Sequence, residues 1–470
     1  MSSFSPGDIG SRSARVHGRP LRPRVLPSRG LRVPRQTEVQ NHVARRWPPL
    51  PVLAFLIAML IPWQFYIGPL HLSATRAVLL IALVPCLVKW TSGQAGPIRM
   101  PDIAVLLFIV WCGIATMQIE GAGYAVQSVG MLLIETAGAY FLARVYIRTE
   151  DDFYALSRAL FWVMALLLPF AFLEAITKQP VLMDLFGRVM RTYDIAGSDP
   201  RWGMRRAQTV FQHPILYGVF CGIAFAPTAL VLTYGRPLIE RGAMVVIVVA
   251  AAFFSLSSGP MTALALQIAL VCWNYVLKGF PGRWKLFWGI LAFVYLFVSV
   301  FSHQSPAEHL INLVAFDKGS AWQRLLIWNY GTGSIAAHPV FGVGFGDWAR
   351  MDGQTSSVDM FWIISSLRHG ILAGVFLAMV YLGAALMVGF RKGLSPAQLR
   401  CRTAYLVALA GFFVAGWTVD FWGEVYTAFF FMIGSGLWLL TATGEEHESE
   451  EMPACQRNLR PRRVIPARQR

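Results

Sequence analysis

Apolar runs fill the sequence from Leu50 to Leu440 with few interruptions. A helix needs about 20 mostly apolar residues to cross a bilayer. Runs of this kind, one after another, dictate an all-α, polytopic integral membrane protein. Charge content agrees: 14% of the 470 residues are charged and 56% are hydrophobic, where a soluble domain carries roughly a quarter charged residues. Disorder and an ordinary soluble enzyme are both excluded. One membrane domain, 50–441, accounts for the bulk of the chain, with a disordered basic tail on either side, 1–49 and 442–470.

About twelve spans are expected, near 50–68, 72–90, 102–119, 124–145, 155–177, 213–233, 242–257, 260–278, 284–301, 371–390, 402–419 and 423–441. The turn Ser257-Ser258-Gly259-Pro260 separates the seventh from the eighth, because Gly-Pro punctuates a helix. Lys and Arg in short connections set the orientation. With the N-terminus in the cytoplasm, the even-numbered connections carry Lys89 and Arg99, then Arg144, Arg148 and Arg158, then Arg236 and Arg241. Later ones carry Lys278, Arg283 and Lys285, and Arg391, Lys392, Arg400 and Arg402. The short odd-numbered connections carry almost none, and an even count returns the C-terminal tail to the cytoplasm.

The net charge of +16 is concentrated in the tails: the first 49 residues hold ten Arg and two acids, and six more Arg follow from Arg457 onward. Attraction to anionic membrane lipid accounts for such flanks, and no nucleic-acid partner is expected. The N-terminal tail lacks a cleavable signal pattern, and Arg45-Arg46 abuts a first span that reads as an uncleaved anchor. The six Cys sit mostly singly in apolar runs, without metal or CxxC spacing, as small buried hydrophobes. Neither a metal nor a nucleotide cofactor is expected.

Two long connections, 178–212 and 302–370, fall on the extracytoplasmic side. The first holds six basic residues against three Asp. Long loops in a compact domain commonly carry function, so any chemistry belongs on that face. In the first loop, Arg205 and Arg206 precede His213-Pro214 at the start of the sixth span. They read either as arginines snorkelling to lipid phosphate or as a diphosphate clamp, since guanidinium forks match phosphate oxygens. His213 has a structural reading and a catalytic one. In the second loop, 320–328 reads as a short amphipathic helix with Ala321, Trp322, Leu325, Leu326 and Trp328 on one arc and Gln323 and Arg324 facing away. Such a helix lies on the membrane or on the spans and aims Arg324 into the space above them; the alternative is a solvated Arg on a surface helix.

His338-Pro339 then leads into Gly342, Gly344 and Gly346, whose spacing lets backbone approach backbone or ligand. Without a strand and a βαβ unit this run is not a dinucleotide fingerprint. Asp359 opens the next apolar run, either as a helix cap or as a general base. Arg368 and His369 sit within an apolar stretch, where charge commonly faces a water-filled cavity. Arg76 is another charge, just inside the second span.

These motifs together resemble the bacterial superfamily of O-antigen ligases and Wzy-type polysaccharide polymerases. The residues that carry the resemblance are Leu72 to Arg76, Arg206-Ala-Gln-Thr-Val-Phe-Gln-His213-Pro-Ile, Ser255-Leu-Ser-Ser-Gly-Pro and Arg324-Leu-Leu-Ile-Trp328. His338-Pro-Val-Phe-Gly342-Val-Gly344-Phe-Gly346, Val358-Asp359-Met-Phe-Trp362 and Arg368-His-Gly370 complete it, in order across 50–441. The resemblance implies a multi-pass enzyme of the bacterial inner membrane, with both termini cytoplasmic and a periplasmic active site. Its donor is a glycan on polyprenyl diphosphate, transferred with inversion and without a metal. Arg324 then matches the large-loop Arg that contacts diphosphate, and Arg205 and Arg206 match the basic group before the sixth span.

Ligases of the superfamily place a His-Asn pair where this chain has Val358-Asp359-Met360. That departure resembles exopolysaccharide polymerases instead, and makes Asp359, or else His338, the candidate base. Besides lipid-linked glycan and membrane lipid, the expected partners are a chain-length regulator or export machinery. A ligase, a transporter of the same lipid-linked glycan, and a non-catalytic assembly subunit are the rival readings. A transporter calls for repeat-related halves and polar residues near the midplane, and the polar residues here concentrate at one end of the spans.

Overall fold

The computed structural model of the chain describes residues 47–67, 70–301 and 318–443. The two tails lie outside these residues except at their inner edges, as does 302–317 of the second long connection. The chain opens with α1 (Leu50–Ala58) and a hairpin of β1 (Gln64–Ile67) and β2 (Leu70–Ser73), followed by α2 (Ala74–Thr91) and α3 (Met100–Glu120). Next comes a continuous stretch of α4 (Ala122–Leu133), a π-helical turn (Ile134–Gly138) and α5 (Ala139–Tyr146). Then follow α6 (Glu150–Thr177), the short α7 (Val181–Gly187), and α8 (Pro214–Pro227) with a π turn at Thr228–Leu232. The rest comprises α9 (Leu238–Phe253), α10 (Ser258–Val276), α11 (Arg283–Phe301), α12 (Lys318–Ala337), α13 (Phe361–His369), α14 (Ile371–Gly389), α15 (Pro396–Gly416) and α16 (Gly423–Ser435).

Among the described residues, ten of these segments are long and apolar enough to cross a membrane: α2, α3, α4–α5, α6, α8 with its π turn, α10, α11, α14, α15, and α16 with the 3-10 turn after it. This is a helical, multi-pass membrane protein. Two of the twelve expected spans fall short. Residues 50–68 are not one helix: α1 has nine residues, about 14 Å at 1.5 Å per residue, under half of a hydrocarbon core. Pro62 has no N–H to continue the helix and disfavours helical backbone at Ile61. The chain instead turns into the hairpin, which docks on the first long loop through Gln64 N–H donating to Arg191 O (2.9 Å) and Trp63 Nε1 to Phe186 O (3.2 Å). The expected seventh span is α9, and its 16 residues rise about 24 Å.

The helices pack α3 along α14, α5 along α16, and α15 against α8 and α10. Close approach is bought with small residues, as where Gly218 of α8 lies so near Ser255 and Pro260 that a Cβ would sit 2.5 Å from Ser255 Oγ. Arg144, expected as an ordinary basic flank, is instead almost wholly buried at 1% exposure. It pairs with Asp102 (3.2 Å) and donates to Ala95 O and to Pro97 O (3.0 Å). Asp102 also accepts from Tyr140 Oη (2.5 Å), Trp90 Nε1 (3.3 Å) and the Arg99 backbone N–H (2.8 Å). Every lone pair of that carboxylate has a donor, which makes a buried charge tolerable. Nearby, Arg391 donates to Ala442 O (3.0 Å) and Arg402 to Arg391 O (2.8 Å), and the Arg148 guanidinium lies against Gly96. Basic connections thus meet at one end of the helices.

Asp102→Ala leaves Arg144 buried without its counter-charge, a loss on the order of 3–5 kcal/mol. We expect a much lowered unfolding midpoint for the detergent-solubilised variant; a midpoint equal to that of the wild type would remove Asp102 as the organiser of this end.

Candidate functional site

Two long connections and the turn between α15 and α16 supply the polar groups at the opposite set of helix ends. Glu174, near the C-terminus of α6 and buried, organises the first connection. Its carboxylate accepts from the backbone N–H of Gln208 (3.2 Å) and of Thr209 (2.9 Å), and from Arg205 Nε (3.4 Å). Thr209 is held at φ +53°, a left-handed conformation that a β-branched residue adopts at a cost.

Arg205 and Arg206 therefore diverge. Arg205 is spent on Glu174, while Arg206 reaches the corner before α10, where its Nη2 donates to Ser257 Oγ (2.9 Å). The Ser257 hydroxyl gives its own proton to Ser255 O (2.8 Å), so it is free to accept. Arg201 Nη1 donates to Leu256 O (2.9 Å) in the same corner. The segment Ser255–Pro260 thus acts as a seat for two guanidinium groups. Arg206 Nε is buried with no partner among the described residues.

Arg324 comes from α12 and is buried, which sets aside the reading of a solvated surface arginine. The buried stripe of α12 is Arg324, Ile327, Gly331 and Ser334, while Trp322 on the apolar arc is 58% exposed. Arg324 lies on the inward face of the helix and not on the outward one. Apolar side chains in a membrane protein gain nothing by turning from lipid, whereas a charge gains from the interior. Ile327 packs with Met360, Ile363, Ile364 and Leu367. Arg324 Nη1 is buried and, among the described residues, has no partner.

The Arg201 guanidinium acts on both Arg206 and Arg324. Burial pulls the Arg206 pKa down to about 10, and the Arg201 charge adds to that against Asp199. Burial also lowers Arg324, with Arg201 adding and Asp359 opposing. Like charges gathered with hydrogen-bond donors unspent are poised for an anion, and oxyanions of phosphate answer both needs.

Asp359 faces this group without capping the helix after it. The N-cap of α13 is Met360, with no side-chain cap, and Asp359 Oδ1 instead accepts from Ser357 Oγ (2.7 Å). The helix start is fixed from elsewhere: Phe361 N–H donates to Val419 O (3.1 Å), and the Phe361 and Phe421 rings stack at 4.4 Å. That clamp brings Asp420 beside Asp359. Burial pushes the half-buried Asp420 carboxyl up to about 7, against the pull of Arg368 and the Phe421 N–H and with Asp359 adding. His213 is the N-cap of α8: its Nδ1 accepts from Ile215 N–H (3.2 Å). Burial and Arg206 take its pKa down to about 4 against Asp359, so the ring is neutral at pH 7 with its proton on Nε2.

The structure therefore brings together Arg206, His213, Arg324 and Asp359. Arg368 stands at the margin, its guanidinium 5.2 Å from the Phe345 ring centroid. Arg205 is tied to Glu174, and Arg76 pairs with Glu135 at 2.8 Å in a separate cluster. His338 is exposed just past the end of α12. Gly342 and Gly344 serve packing: the Val343 and Gly344 N–H groups donate to Leu367 O (2.8 Å) and Arg368 O (3.0 Å). A Cβ on Gly342 would meet Leu367 O at 2.5 Å. Gly346 has ordinary space around it.

Two members were missed in the sequence. Arg201 stood in the same basic stretch, and Asp420 is a lone acid between the last two apolar runs. No protein-family model matches the chain, and no curated protein matches it, so the reading of the site rests on its geometry.

Asp420 carries a pH signature. Its carboxyl moves from an ordinary 3.8 to about 7 on folding, so the stability it contributes is full below pH 3.8 and is lost as pH rises through 7. We expect Asp420→Asn to flatten that decline in the unfolding midpoint; an unchanged pH profile would show that Asp420 is not the titrating group.

Proposed function

We propose that the chain is a membrane glycosyltransferase that joins polyprenyl-diphosphate-linked oligosaccharide repeat units into a surface or exopolysaccharide. In this reading it lies in the bacterial inner membrane, with both termini cytoplasmic and the Arg206–Arg324 site periplasmic. The observation that carries the reading is the gathering of Arg201, Arg206 and Arg324 about His213 and Asp359, with Arg206 Nε and Arg324 Nη1 buried and without a protein acceptor among the described residues. They converge with Arg201 where two long connections meet. The Lys and Arg distribution and the resemblance to O-antigen ligases and Wzy-type polymerases support the same conclusion.

The chemistry is attack by an acceptor hydroxyl on the anomeric carbon of the donor. A carbon–oxygen bond forms on one face of the sugar while the bond to diphosphate breaks on the other, which inverts the centre. The leaving diphosphate takes the electron pair and gains charge. Arg206, Arg324 and Arg201 stabilise that charge, and such stabilisation is worth most in a site with little water. Diphosphate needs no proton to leave. The acceptor proton passes to a carboxylate, and Asp420, titrating near 7, is better matched to that task than a carboxylate of ordinary pKa. Asp359 lies next to it. An Asp at 359 in place of a His-Asn pair favours repeat-unit polymerisation over ligation.

Arg324→Ala is expected to abolish glycan extension while the protein still inserts, with Arg324→Lys recovering part of it as a point charge without the fork. Long-chain product in undiminished amount from the Ala variant would sink the assignment. In a deletion strain, single repeat units left on the carrier identify a polymerase, and long chains stranded on the carrier identify a ligase. With Asp420 as base, the rate of extension rises with pH through about 7, and Asp420→Asn removes that limb.

A further inference from the structure

A second polar cluster lies where α2, the π turn, the first long loop and α16 meet. Arg76 of α2 pairs with Glu135 of the π turn at 2.8 Å, and Tyr193 Oη donates to Glu424 Oε1 at 2.5 Å. With Thr75 and Gln212 these residues line a cavity of about 30 Å³, room for one water-sized occupant. Thr75 Oγ1 and Glu424 Oε2 are both buried and have no partner among the described residues. Both residues are 2% exposed. A π turn interrupting a helix often marks a functional position, and this one presents Glu135.

Among the described residues the cluster sets two carboxylates against one guanidinium, and Glu135 engages that guanidinium. A residual negative charge in an apolar helix bundle is costly unless something positive neutralises it. The polar part of the lining is rich in oxygen: hydroxyls of Ser73, Thr75, Tyr193 and Thr427, the Gln212 amide and the carboxylates. Oxygen ligands suit hard cations. A divalent ion would leave one positive charge over, where a monovalent one closes the balance.

We propose that this cavity binds one small monovalent cation, held by Glu424 Oε2 and Thr75 Oγ1. The cation is a sodium-sized ion or a proton on Glu424; the two share the charge and differ in the response described below. The groups facing Glu424 are Tyr193 of the loop, Arg76 of α2 and Glu135 of the π turn. Occupancy ties α16 and α2 to the loop at Gln212, one residue before His213. This inference concerns folding and stands whether or not the chain transfers glycan.

The test is thermal unfolding of the purified full-length protein in detergent, with sodium chloride replaced by choline chloride at constant ionic strength, at mildly acidic and mildly alkaline pH. A sodium-sized ion raises the midpoint with the logarithm of sodium concentration at alkaline pH, as binding to the folded state alone requires, and less so in acid. A proton gives no sodium response but a midpoint that falls with rising pH more steeply than in the variants. Glu424→Gln removes either response. Glu135→Gln, which leaves Arg76 balanced by Glu424 alone, removes it as well and decides the matter if Glu424→Gln does not fold. Identical sodium and pH responses in wild type and variant overturn the proposal.

Discussion

The Glu174 carboxylate is the interaction on which the candidate site depends. It stands at the end of α6 and spends its lone pairs on two consecutive backbone N–H groups and on Arg205. This fixes the path of the first long loop into α8. It also consumes one of two adjacent arginines and sends the other to Ser257. Arg205 is thereby satisfied, while Arg206 Nε stays buried without a partner among the described residues. The anion-ready character of Arg206 is thus a product of where its neighbour is held.

Two buried arginines show how different the settings of a charge can be. Arg144 is held by Asp102 and by the carbonyls of Ala95 and Pro97, and Asp102 accepts from Tyr140, Trp90 and the Arg99 N–H as well. Arg324 keeps a buried nitrogen that the described residues leave open. Burial does not distinguish the two, since both are buried; their neighbours do, because Asp359 and a second guanidinium, that of Arg201, act on Arg324.

Much of the helical framework was legible in the sequence because crossing a bilayer depends on average hydropathy over a long window, which single residues rarely upset. Where single residues did matter, reading by runs failed: Pro62 ends α1 and hands the chain to a hairpin. The site was partly legible for a related reason. Charges such as Arg206, Arg324 and His213 at the edges of apolar runs are conspicuous because they are expensive. The surroundings of Arg324 were less legible: the arc of 320–328 is split, with Leu325 and Trp328 partly packed on the cluster around Ile327 while Trp322 is exposed, and apolar residues in a membrane protein can face either protein or lipid. Asp420 was overlooked because a lone acid between two spans looks like a loop residue until Phe361 and Phe421 stack and bring it to Asp359.

Gly370 governs the mechanics of this half of the molecule. At φ +82° it rests directly on the Val340 carbonyl, with no room for even a methyl group, and the next N–H, of Ile371, donates to Pro339 O (2.8 Å). The returning end of the large loop is therefore a rigid joint welded to the start of α14. On the departing side, α11 has no fully buried residue among the described ones and touches the core only near its start, through Trp284 and Phe287. Most of the surface of that helix is therefore left to lipid, and lipid, more than protein, is its solvent.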